Sequence, residues 1–161
     1  MTWPRLPGGD MKAVIQRVSS ASVDVDGRVV GRIGSGLFVL VGLAAGDDAS
    51  DIEYIASKTA ALRIFPDDAG RMNLCVAQAG GSILAVSQFT LIADTRKGNR
   101  PSFSAAMPVE DARLFWPRVV AGFTETGIPC EFGIFQGDMN CRLVNDGPVT
   151  IILDSAEGRC R

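Results

Sequence analysis

Polar and apolar residues alternate where the chain first becomes patterned, and the period then changes twice. Over residues 12–18 the alternation puts Ala13 and Ile15 on one side, which predicts a half-buried strand. Ser22-Val23-Asp24-Val25-Asp26 alternates again, and Asp26-Gly27 is a strong two-residue hairpin signal, so residues 28–33 are expected to return as the partner strand. Residues 37–43 are almost unbroken apolar and short enough for a strand buried on both faces. The opening third therefore predicts a β-meander.

The period then becomes helical. Ser50 and Glu53 have the spacing of a capping box, and Ile52, Ile55, Ala56, Thr59 and Leu62 share one helical face, which predicts an amphipathic helix to about residue 64. A Pro-Asp-Asp-Ala-Gly turn at 66–70 and a buried strand at 82–87 follow. Residues 92–107 show no period and contain Gly98 and Pro101, so a long loop is expected, of a length that usually carries function. A second helix is predicted from about Pro108 to about Phe123, with a kink or early stop at Pro117. Two last strands are expected near 140–144 and 149–153, joined by Asn145-Asp146-Gly147-Pro148. The fold class is α+β, one domain over residues 11–161 with two helices. Residues 1–10, rich in Pro and Gly, read as a loose extension, with Met11 opening the first patterned segment.

Composition narrows the chemistry. A chain of 161 residues that is 47% hydrophobic suits a single buried core and excludes a disordered chain. No run approaches the roughly 18 apolar residues of a membrane span, and the first ten residues lack the apolar segment of a signal peptide. A cytoplasmic protein is expected. Four cysteines with no C-x-x-C pair argue against a zinc site, and free thiols in a reducing compartment are expected. Neither a metal nor another cofactor is expected. The chain contains no histidine, which excludes Ser-His and Cys-His catalysis. A net charge of −2 argues against binding along a nucleic-acid backbone, yet Arg96, Lys97 and Arg100 form a local basic cluster in the long loop. Phosphate contact and ordinary solvation both fit that cluster.

Two strings carry the candidate chemistry. Ser87-Gln88-Phe89-Thr90 stands at a strand end, where its polar groups either satisfy local backbone or present hydroxyls and amides to a developing oxyanion. Asn145-Asp146-Gly147-Pro148 reads as a hairpin turn. A cis Gly147-Pro148 bond would instead aim two carbonyls the same way, a geometry suited to an ammonium group.

Together with Met11-Lys12-Ala13-Val14-Ile15-Gln16-Arg17-Val18 and Lys97-Gly98-Asn99-Arg100-Pro101-Ser102-Phe103-Ser104, these strings resemble the D-aminoacyl-tRNA deacylases from Met11 to about Asp154. The resemblance implies a mostly antiparallel, barrel-like sheet. It also implies a homodimer that hydrolyses the ester joining a D-amino acid, or mischarged glycine, to the 3′-terminal adenosine of tRNA, and so proofreads chirality in translation. Ser87, Gln88, Phe89 and Thr90 would line the catalytic pocket, with Gly147 and Pro148 entering from the other subunit as a Gly-cisPro clamp that sterically rejects L-amino acids. Arg17 matches the arginine that holds the Gly-Pro element, although a surface strand cation explains it too. Phe135 and Met139 match residues near the site, and core packing accounts for both equally well. Gln136-Gly137 departs from the pattern, which has a small apolar pair there. Thr90 is the obvious side-chain nucleophile, but no base stands ready for it, so assistance to a water by the substrate's own 2′-OH is preferred. A hydrolase of small-metabolite esters and a non-enzymatic RNA-binding module are the rival classes.

Overall fold

The computed structural model describes residues 9–158. Most of the expected extension, residues 1–8, and Cys160 lie outside the described residues. Gly9 is already buried and Met11 is fully so.

The strand that organises the molecule, β1 (Lys12–Val25), is a single element where the pattern predicts two. Its buried apolar side chains fall at Ala13 and Ile15, then step to Val18, Ala21 and Val23. A strand has period two, so Val18 already lies on the opposite face from Ala13 and Ile15. One extra residue at Ser19, between the Val18–Asn145 and Ser20–Val144 pairs, turns the strand so that Ala21 and Val23 share the face of Val18. Ala13 and Ile15 join the core beneath the helices, whereas Val18, Ala21 and Val23 join a second core with Ile33, Phe38, Leu84 and Val86.

β2 (Arg28–Ile33) follows across Asp26 and Gly27, whose φ angles of 51° and 78° suit a tight hairpin turn. β3 (Gly36–Gly42) does not continue outward from β2. It pairs antiparallel with residues 12–18 of β1, so β1 lies between β2 and β3 and the expected meander does not form. The cause is the length of β1, which gives its second half to β2 and its first half to β3. β3 is buried on both faces as expected: Leu37, Val39 and Val41 enter one core and Phe38 the other.

β6 (Ser82–Ser87) lies parallel to β3, and β7 (Cys130–Phe132) parallel to β6. With three residues β7 is too short to show a period. A Cβ on Gly31 of β2 would stand 3.0 Å from the Phe132 carbonyl, so the edges formed by β2 and β7 approach and the mostly antiparallel sheet curls toward a barrel. β4 (Phe65–Pro66) and β5 (Met72–Leu74) form a small separate hairpin around the 66–70 turn.

The last strand, β8 (Met139–Asp154), replaces the two expected ones and runs antiparallel along β1. Gln16 faces Thr150 and Val18 faces Asn145, so residues 146–149 bulge out of the ladder.

α1 (Ala49–Ala61) is capped two residues before the predicted position. Asp48 is the N-cap: its Oδ1 accepts from Ser50 N at 2.8 Å, and Asp48 N donates to Asp51 Oδ2 at 2.8 Å. The capping box is thus Asp48 with Asp51, not Ser50 with Glu53, since an aspartate offers the same acceptor one turn-step earlier. α1 ends at Ala61, short of the predicted residue 64, which leaves the Ile64 carbonyl to bond elsewhere. α2 (Val109–Thr124) runs on through Pro117 with no early stop. Ala112, Phe115 and Trp116 before the proline and Val119 and Phe123 after it are all buried, which holds the helix on both sides of the missing donor. A four-residue third helix, α3 (Ser155–Gly158), follows β8, and the Ser155 hydroxyl donates to Asp51 Oδ1 at 2.6 Å. Among the described residues no helix is long and apolar enough to cross a membrane.

Candidate functional site

At the end of β6 the ladder continues for one residue, with Gln88 N donating to Val41 O at 2.8 Å. The chain then enters a 3₁₀ turn at Phe89–Leu91, whose first hydrogen bond is Leu91 N to Gln88 O at 3.3 Å. The amides of Phe89 and Thr90 therefore lie ahead of the first donor of the turn. Gly42 permits this close return of the chain, because a Cβ there would stand 2.8 Å from Leu91 Cβ and 3.2 Å from Gln88 O.

A cleft of about 670 Å³ opens against this strand end. Ser87, Gln88 and Phe89 form one wall. Phe103, Ala106 and Met107, from the long loop, and Val109 and Ala112 of α2 form the opposite one, while Phe135, Gln136, Asp138, Met139 and Cys141 close an end. Phe89, 59% exposed, meets Phe103 edge-on with ring centroids 5.1 Å apart. Phe135 stacks on Trp116 at 6.5 Å. Gln136, in the left-handed region at φ 61°, accepts from Arg113 Nη2 at 2.5 Å and so ties this end of the cleft to α2. The lining contains no lysine or arginine. Its titratable groups are Asp138 and Cys141, whose thiol is pushed up by burial and secondarily by the Asp24 carboxylate. No group of His, Cys, Asp or Glu among the described residues is arranged to hold a metal.

Thr90 lies just past the lining segment, and its hydroxyl accepts from the Gln88 side-chain amide. Gly147 and Pro148 are not in the lining either. They sit at the tip of the β8 bulge, both exposed, joined by a cis peptide bond. Arg17, the β1 residue left opposite the bulge, has only 11% of its side chain exposed. Its Nε donates to Asp146 O at 2.9 Å and its Nη1 to Ile64 O at 2.7 Å, so one guanidinium spans the bulge and the chain just beyond α1. The structure thus gathers Ser87, Gln88, Phe89, Phe135 and Met139 in one cleft, and the largely buried Arg17 with the exposed Gly147 and Pro148 in a separate cluster. Sequence reasoning did not single out Phe103, Met107, Asp138 or Cys141 for the cleft. The one signal available was the length of the 92–107 loop.

The basic cluster is bracketed by an antiparallel bridge between Asp94 and Ser102, with both backbone bonds formed. Asp94 also takes Arg96 in a fork, Nε to Oδ1 at 2.9 Å and Nη2 to Oδ2 at 2.6 Å. Arg96, although itself exposed, therefore braces the loop, and Lys97 and Arg100 are exposed cations that make no ion pair with a described residue. The hydrogen bonds from Arg96 hold the Asp94 carboxyl at about 2, well below its ordinary 3.8. A folded value below the unfolded one means that the contact is fully present above pH 4 and is lost as pH falls through about 2. A carbon-detected NMR titration of the Asp94 carboxyl should give a midpoint near 2, and in Arg96→Gln a return toward 3.8.

With this geometry in view, residues 14–154 match the family described as D-Tyr-tRNA(Tyr) deacylase. The chain belongs to the D-Tyr-tRNA(Tyr) deacylase family. It is similar to a D-aminoacyl-tRNA deacylase of Anaeromyxobacter dehalogenans, 57% identical over 90% of this chain and 97% of the relative. A D-aminoacyl-tRNA deacylase of Geobacter sulfurreducens is also 57% identical, over 90% and 95% of the two chains. Among solved structures, one described as c-Myc DNA Unwinding Element Binding Protein superposes with a TM-score of 0.83 at 39% identity, covering 88% of this chain and 97% of that one. Another, described as a probable eukaryotic D-amino acid tRNA deacylase, shares the fold at 14% identity with a TM-score of 0.78, covering 90% and 99%. The family is one of hydrolases, so the cleft at the end of β6 belongs to an enzyme. The deacylase-family match spans all of β8 and nearly all of β1, the two strands between which the bulge arises.

Proposed function

We propose that the protein hydrolyses the ester between a D-amino acid, or glycine, and the 3′-terminal adenosine of tRNA, in the cleft walled by Ser87, Gln88 and Phe89. The observation that carries this reading is the division of the site. The family's strand-end wall lines a cleft in this chain, whereas Gly147 and Pro148 stand exposed outside it. Such a division suits a homodimer in which Gly147 and Pro148 of the partner subunit complete the cleft. Their carbonyls then receive the substrate's α-ammonium, an arrangement favoured by a lining without cationic side chains. The Cα hydrogen faces open space for a D residue or glycine, while an L side chain runs into backbone.

Water attacks the ester carbonyl, and the oxyanion that develops accepts from amides at Phe89 and Thr90. The substrate's vicinal 2′-OH assists the water, the 3′-oxygen leaves with a proton, and the free amino acid is released. Arg17 positions the clamp through Asp146. Lys97 and Arg100 take acceptor-stem phosphates, with Arg96 bracing their loop. The setting is the cytoplasm and the role is chirality proofreading.

The test compares hydrolysis of D-Tyr-tRNA, L-Tyr-tRNA and Gly-tRNA by the purified protein. The D and glycyl esters should be cleaved, and the L ester at least about a hundredfold more slowly. Equal cleavage of D and L esters removes the clamp, and comparable turnover of free aminoacyl esters favours a small-molecule esterase.

A further inference from the structure

Residues 146–149 stand outside the β1 ladder because the two strands advance unequally between Gln16–Thr150 and Val18–Asn145. A segment ejected in this way loses the opposite strand as a source of acceptors, so something else must fix its shape. One side chain stands at the neck of the bulge. Asn145 Oδ1 accepts from Val149 N at 2.9 Å, and Asn145 Nδ2 donates to Thr150 Oγ1 at 3.2 Å. From β1, Gln16 Nε2 donates to the same hydroxyl at 3.3 Å. The residue before the loop is thereby tied to the two residues after it, and Asp146, Gly147 and Pro148 are enclosed between them.

We infer that Asn145 is a positioning residue that closes the neck of the Gly147-Pro148 loop and so orients it toward the substrate. The inference rests on the reading of that loop as the substrate clamp. An amide side chain suits the place because one planar group offers both an acceptor and a donor. Val149 is 8% exposed, so its N–H has little access to water and depends on that acceptor. Arg17 works on the other flank, holding Asp146 O, and neither side chain substitutes for the other.

Variants of Asn145 separate its two bonds. Asn145→Ala removes both, and kcat/KM on D-Tyr-tRNA should fall about tenfold, mainly in kcat, with a narrowed D-over-L ratio. Asn145→Asp keeps the acceptor for Val149 N and should recover most of the loss. Amide exchange of Val149, followed by NMR in the full chain, is the second readout: slow in the wild type and Asn145→Asp, fast in Asn145→Ala. Wild-type kcat/KM and selectivity in Asn145→Ala overturn the assignment, as does an equal loss in both variants. Fast exchange of Val149 in the wild type overturns it even if Asn145→Ala fails to fold. A wild-type protein that cleaves no charged tRNA instead defeats the proposed function, and the exchange measurement then still decides whether the neck is closed by Asn145.

Discussion

Gly147→Ala should lower kcat/KM on D-aminoacyl-tRNA by about a hundredfold, on the order of 3 kcal/mol, with little change in melting temperature. At φ 137° the backbone is in a region that L side chains rarely adopt. A Cβ there would stand 2.8 Å from Val149 Cγ2, 3.0 Å from Val149 N and 3.1 Å from Arg17 Nη2. None of these neighbours can retreat cheaply. Val149 is buried, and Arg17 is held between the Asp146 and Ile64 carbonyls. The loop would have to shift as a whole, and as it lies outside the ladder the shift costs orientation more than stability. Gly80→Ala is the control, since Gly80 has φ 72° but nothing within 4 Å of an added Cβ. Parallel steady-state kinetics and thermal melts of the two variants decide the point. Equal activity in both would show that the bulge does not need its shape for turnover.

The second large effect concerns the substrate. A D-aminoacyl-tRNA whose terminal ribose carries hydrogen in place of the 2′-OH, with the ester on the 3′-oxygen, should be cleaved at least about a hundredfold more slowly. Thr90→Ala should retain activity to within about tenfold. Thr90 lies beyond the cleft lining, its hydroxyl is engaged by Gln88, and no histidine exists to take its proton. Single-turnover rates on both substrates with both proteins separate the alternatives. Near-total loss in Thr90→Ala, with the deoxy substrate turned over normally, would make the threonine the nucleophile.

Much of the fold is legible along the chain because its strands are short-period patterns with strong punctuation. The Asp26-Gly27 hairpin, the doubly buried β3 and β6, and the start of α2 all follow from local residues. What fails does so for a shared reason. The break in alternation around Ser19 reads as the end of one strand and the start of another, when it is a one-residue bulge within β1. Asn145-Asp146-Gly147-Pro148 likewise reads as a turn between strands, when it is a bulge within β8. A bulge and a turn use the same residues, and only the opposite strand distinguishes them. The missed cap has a simpler origin, for Asp48 and Ser50 both begin acceptable capping spacings and tertiary contact selects one. In the site, the strand-end wall was readable from its motif. The opposite wall comes from an aperiodic loop whose course no pattern encodes.

The irregular stretch of β1 from Arg17 to Ser19 also bears on how this protein can change over time. Val18, Ala21 and Val23 reach the same core through the extra residue at Ser19, so gaining or losing one residue there would send every later side chain of β1 to the wrong face. The same stretch faces the mouth of the β8 bulge, where Val18 pairs with Asn145. A length change at this point would therefore scramble the hydrophobic interior and misplace the exposed Gly-Pro tip in one event. Substitutions can explore this neighbourhood one side chain at a time, but insertions and deletions have no viable intermediate. The Gly147-Pro148 loop inherits its fixed length from the packing of a strand that it never enters.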